Sequence, residues 1–134
     1  MMFAPRAAIA ALLAVAPYAA IGCDLPADAR DNAQVVEAEG VQIAYRADPA
    51  LAIDRHFSLM IRACADATVS SLTVDAWMPD HRHGMNYKPS VSKVGADAWR
   101  ADGLLFHMPG KWELIFAVAT SAGTKRATRV VIVR

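Results

Sequence analysis

Phe57-Ser58-Leu59-Met60-Ile61-Arg62-Ala63 is the stretch that decides the fold class. Phe57, Leu59, Ile61 and Ala63 recur every second residue, and a period of two over a short run marks a strand buried on one face. Towards the N-terminus, Val41, Ile43 and Tyr45 alternate with polar or small neighbours in the same way. Towards the C-terminus follow Val69 to Trp77, a weaker Val91 to Val94, Ala98 to Phe106, Trp112 to Val118 and Thr124 to Val133. Turn chemistry separates these runs at Asp48-Pro49, Pro79-Asp80, Lys88-Pro89, Gly95, Pro109-Gly110 and Ala122-Gly123. Beyond residue 22 no stretch holds a sustained i, i+3, i+4 apolar face, and only Ala50 to Arg55 reads as a brief turn. About seven short strands with turns every 8–12 residues or so predict an all-β domain over residues 40–134, a single immunoglobulin-like antiparallel β-sandwich. Trp77, Trp99 and Trp112 fall in period with apolar faces and are expected in its core. Lys125, Arg126, Arg129 and Arg134 read as a solvated face that protects an edge strand.

The 134 residues allow one domain. Lys and Arg number 14 against 13 Asp and Glu, a formal charge of +1, and this balance argues against a nucleic-acid binder, which needs a surplus of clustered cations. The 55% hydrophobic content is inflated by residues 1–22, whose one charge is Arg6. Met1 to Arg6 form a short positive region, and Ala7 to Gly22 run without a charge. That run is shorter than the about 20 apolar residues of a spanning helix, so residues 1–22 read as a signal peptide and the chain as periplasmic or otherwise exported.

Cys23 follows Ala20-Ile21-Gly22 at once, and its thiol has two exclusive fates. It could carry a lipid, with residues 23–39 as a polar tether to the membrane, although Leu is usual where Ala20 stands. It could instead form a disulfide with Cys64, which an oxidising compartment permits. Lipidation would leave Cys64 an odd thiol, an argument for the bridge; Cys64 as a simple buried small side chain is the third reading.

Chemistry-bearing residues cluster between positions 78 and 108. Met78, Met85 and Met108 lie there, as do three of the four histidines, His81, His83 and His107. If Pro79 to Tyr87 were extended, His81, His83 and Met85 would face one way, with His107-Met108 arriving from a neighbouring loop. Imidazole with thioether and no carboxylate in register is a soft ligand set that suits copper, Cu(I) above all. Zinc fits less well, since thioethers are poor zinc ligands and no nearby Glu stands as a base. The same residues also admit a plain structural role, the histidines bonded to Asp80 and backbone and the methionines filling core gaps. His56 stands apart and reads as structural. No nucleophile elbow around Ser70, Ser71, Ser90, Ser92 or Ser121 and no Gly-rich phosphate loop indicates an enzyme.

The segments Asp75-Ala76-Trp77-Met78-Pro79-Asp80-His81-Arg82-His83-Gly84-Met85 and Gly103-Leu104-Leu105-Phe106-His107-Met108-Pro109-Gly110-Lys111-Trp112-Glu113-Leu114 resemble the YtkA-like (FixH-like) domain family. Its members carry a Met-Pro-x-His-x-His-Gly-Met type segment and then a Met-x-Gly-x-Trp type segment entering a strand. The resemblance is strongest over residues 69 to 118. It implies a small exported or membrane-attached β-sandwich, often linked with copper handling or respiratory oxidase assembly. Unlike the membrane-anchored members, this chain has no clear uncleaved transmembrane helix. The expectation is a copper carrier of the envelope, exchanging the ion with a donor or acceptor protein, with His81, His83 and His107 as nitrogen ligands, Met85 and Met108 as sulfur ligands and Met78 as a lid or spare ligand. A metal-free immunoglobulin-like module docking on an envelope or oxidase-assembly partner through Trp77 and Tyr87 is the alternative. A small-ligand binder between the sheets is a third.

Overall fold

Alternating runs become strands because each can bury one row of side chains, worth roughly 1.5–3 kcal/mol per large apolar residue. The structure, a computed structural model, describes residues 22–134. In chain order these form a short helix α1 (Ala27–Arg30) and strands β1 (Gln34–Ala38), β2 (Val41–Asp48), β3 (Phe57–Ala65) and β4 (Val69–Met78). Then come β5 (His83–Gly84), β6 (Ser90–Lys93), β7 (Ala98–Leu104), β8 (Gly110–Thr120) and β9 (Gly123–Val133). The seven expected strands are all present; β1 and β5 are additional. One antiparallel sheet has the order β1-β2-β3-β7-β6 and the other β5-β4-β8-β9, packed as an immunoglobulin-like β-sandwich. The expected signal peptide lies outside the described residues except for Gly22. No helix among the described residues is long and apolar enough to cross a membrane.

The core is the inward row of each sheet. Tyr45, Ile61 and Trp99 are register partners across β2, β3 and β7, and Val74–Phe116 and Ala76–Leu114 pair across β4 and β8. Trp99 and Trp112 are buried as expected, but Trp77 is 42% exposed. Parity decides this: Leu72, Val74, Ala76 and Met78 take the inward positions of β4, so Trp77 falls on the outer face beside Asp75. Strand β9 is an edge of the four-stranded sheet; of the four cations read as its solvated face, Arg126, Arg129 and Arg134 are exposed and Lys125 is half-buried.

The Cys23–Cys64 disulfide forms, with the two Cα atoms 5.9 Å apart, and occupies the sulfur that a thioether-linked lipid would need. Residues 23–39, read as a tether, are built into the fold instead. Strand β1 pairs with β2 from Gln34–Tyr45 to Ala38–Val41. Leu25 and Ala29 bury against Ala44 on the outer face of the sheet. Gln42, 4% exposed, accepts from the Leu25 amide at 2.8 Å and from Arg30 Nη2 at 3.0 Å, and donates to Glu37. A buried amide with its oxygen accepting twice and one N–H paired fixes α1 in place.

Candidate metal centre

At the end of the sandwich remote from the disulfide, β4 turns back into β5 through Pro79-Asp80-His81-Arg82, with Met78 opposite His83. The amides of His81 and Arg82 both donate to the Met78 carbonyl, at 3.3 and 2.8 Å, and Arg82 takes the left-handed region at φ 56°. Only His83 and Gly84 are extended here. The expectation that His81, His83 and Met85 share one face of an extended segment is therefore corrected: His81 sits in a hairpin turn and Met85 lies beyond the end of β5. The turn nevertheless folds His81 back, and its ring centroid is 5.8 Å from that of His83.

The second half of the site comes from the β7–β8 connection. Phe106 is fully buried, with ring centroids 4.9 Å from Phe57 and 4.8 Å from Trp112, and its carbonyl accepts from the Asp54 amide at 2.9 Å. With Phe106 anchored inward, His107 reaches His83, their rings 5.2 Å apart. Trp112 Nε1 donates to the Met108 carbonyl at 3.0 Å and closes the turn over residues 108–112. Gly110 is required there, since its φ is 129° and a Cβ would stand 3.0 Å from the Met78 methyl. The Trp112 ring presents near-perpendicular contacts to His83 at 6.1 Å and to His107 at 5.5 Å.

Two nitrogens define what this arrangement can do. His83 Nδ1 lies 3.1 Å from the Gly84 carbonyl, which can only accept, so Nδ1 carries a proton and Nε2 is the ring nitrogen left to meet a ligand. His107 Nδ1 is buried with no hydrogen-bond partner among the described residues. An orphaned buried ring nitrogen costs stability unless something pairs with it. Met85 and Met108 are half-buried against the core, and Met78 is 1% exposed within it. The structure thus gathers His81, His83 and His107 in one row and places Met78 in the core. His56 is apart from them, 5.4 Å from Tyr87. Among the described residues no three His, Cys, Asp or Glu side chains are placed to hold an ion together. Asp80 is engaged by Lys111 at 3.5 Å. A metal here would be held by imidazole together with thioether, a donor set suited to a soft ion. Trp112 and Gly110 were not among the candidate residues; the in-period Trp and the Pro109-Gly110 turn were visible only as core and punctuation.

The fold and this cluster define a class, an all-β sandwich with an imidazole and methionine end. Set against protein-family models, curated proteins and solved structures, the chain finds no match.

Proposed function

We propose that this protein binds and delivers copper, chiefly Cu(I), in the cell envelope, as an exported carrier and not an enzyme. The reading is carried by the buried, unpartnered Nδ1 of His107 beside a His83 ring whose Nδ1 is already tied to Gly84. His83 and His107 hold the ion, His81 stands beside His83 on the turn, and Met85 and Met108 supply displaceable thioethers for exchange with a donor or acceptor protein. Met78, 1% exposed, belongs to the core and supplies no ligand. The Cys23–Cys64 bridge supports an oxidising compartment. The likeness to the YtkA-like family supports the same reading through two short segments.

The test is a Cu(I) competition titration of residues 23–134 against a chromophoric chelator, with a His83→Ala/His107→Ala variant alongside. Stoichiometric binding lost in a folded variant is the expected result. Binding retained by the folded variant, or no competition by the parent, overturns the assignment. The second reading, a metal-free docking module, is favoured by the exposure of Trp77 (42%) and Tyr87 (53%). Its partner binding would be indifferent to chelators.

A further inference from the structure

Strand β9 pairs with β8 along one side only, from Gly123–Thr120 to Val133–Gly110, with no shift of register. One bond shows where its other backbone groups point. The Arg126 amide donates to Glu39 Oε2 at 2.7 Å, so it is turned away from β8. In an antiparallel ladder, residues of one parity direct both N–H and C=O to the same side, so Thr128, Val130 and Ile132 present theirs at the open edge as well. Contacts from the β1 side follow this edge as far as Gln34, whose Oε1 accepts from Arg129 Nη2 at 3.0 Å. Beyond Gln34 strand β1 has ended, and a cleft of about 530 Å³ bordered by Gln34, Leu51, Val131 and Ile132 leaves the rest of β9 uncovered.

The uncovered stretch is Val130-Val131-Ile132-Val133, four β-branched residues with no charge and no proline. Arg126 and Arg129 guard the earlier part of the strand and Arg134 the position after it, with nothing of the kind between. Val130 is 51% and Ile132 59% exposed, both on the outer face of the four-stranded sheet. An unguarded edge of β-branched residues is a template for another strand.

We infer that this edge pairs with the same edge of a second copy of the chain, β9 against β9 in antiparallel register about a two-fold axis at Val131, joining the two four-stranded sheets into one. Val130 of each copy lies opposite the partner's Ile132, and these two pairs exchange four backbone hydrogen bonds in which β8 has no share. The charges select this register. With Val130 opposite the partner's Val130, Arg126 and Arg134 would face each other twice across the seam. With Val130 opposite the partner's Ile132, Arg134 meets Thr128 and Arg129 meets Val133, so no two cations stand opposite. The stretch is also its own complement, since four apolar residues meet four. The seam lies at the far edge of the sheet from β5, so the histidine cluster of each copy stays open and the pairing needs no metal.

Sedimentation velocity of the metal-free protein, residues 23–134, tests this. A reversible monomer–dimer equilibrium is expected between about 5 and 500 μM, the range of a small edge-to-edge contact. Amide exchange at Val130 and Ile132 should slow as concentration rises. Val130→Lys/Ile132→Lys sets like charges opposite each other twice and should weaken the dimer at least about tenfold. Both side chains are exposed, so the urea midpoint should stay near the parent's. Val130→Lys/Ile132→Glu sets opposite charges across the same seam and should restore the dimer. A monomer at every concentration, an undiminished dimer in the folded first variant, or a dimer lost equally from both variants would each overturn the inference.

Discussion

Trp112 does at residue scale what its sequence position does not announce. Its ring stacks on Phe106, its edge meets two imidazoles, and its Nε1 holds the Met108 carbonyl. Trp112→Phe keeps the stacking partner but leaves that carbonyl without its donor and a gap beside His107. A loss of about 1–3 kcal/mol in urea denaturation is expected. If copper sits where proposed, Cu(I) affinity falls with it, because the 108–112 turn loses its fixed geometry. An unchanged midpoint would show that the indole N–H contributes nothing net. The approach of His81, His83 and His107 was legible in the sequence because histidines are few and these fall in two short segments. How they meet was not: the hairpin turn at His81 depends on Arg82 entering the left-handed region, which no period-two pattern encodes.

At the scale of elements, legibility follows periodicity. β2, β3, β4, β7, β8 and β9 each repeat an inward apolar row long enough to read. In β1 the adjacent Val35 and Val36 serve two different layers, Val35 against the Leu25 cluster and Val36 in the main core, so alternation is hidden. Strand β5 has two residues, and no period can be read from two. The polar character of residues 24–39 suggested a tether because the bonds that hold it, to Gln42 and Arg62, are made by partners distant in sequence. The disulfide closes 41 residues, and by loop entropy alone it should stabilise the fold by about 4 kcal/mol. A Cys23→Ala/Cys64→Ala variant is expected to lose that amount in urea and to become sensitive to limited proteolysis within residues 22–33 while β3 stays protected. Equal stability and equal protease resistance would mean that α1 and β1 hold the segment without the bridge.

The whole molecule carries near-balanced charge, and its pH limits are set by a few groups that differ from their ordinary values. The Arg62 guanidinium, bonded to both oxygens of Asp97 at 2.8 Å, holds that carboxyl below the usual range. Ser58 first, and Arg100 second, hold Asp102 low in the same way. Both pairs tie β3 to β7 or to the turn before it, across the outer face of the five-stranded sheet. A carboxyl depressed in the folded state binds its proton less readily there than in the unfolded chain. Its contribution is therefore complete above the unfolded value of about 3.9 and is lost as pH falls through the lower folded value. Tyr45 sets the other limit. Raised by burial, its phenol gives up its proton less readily when folded, so stability falls as pH rises past about 10. Urea midpoints should form a plateau between those bounds, with Asp97→Asn flattening the acid limb and Tyr45→Phe the alkaline one. At neutral pH, Asp97→Asn should cost under about 1 kcal/mol, because the pair is partly solvated and screened by salt. An acid limb identical in Asp97→Asn and the parent would remove this pair from the account and leave Asp102 as the carboxyl that links β3 and β7 to pH.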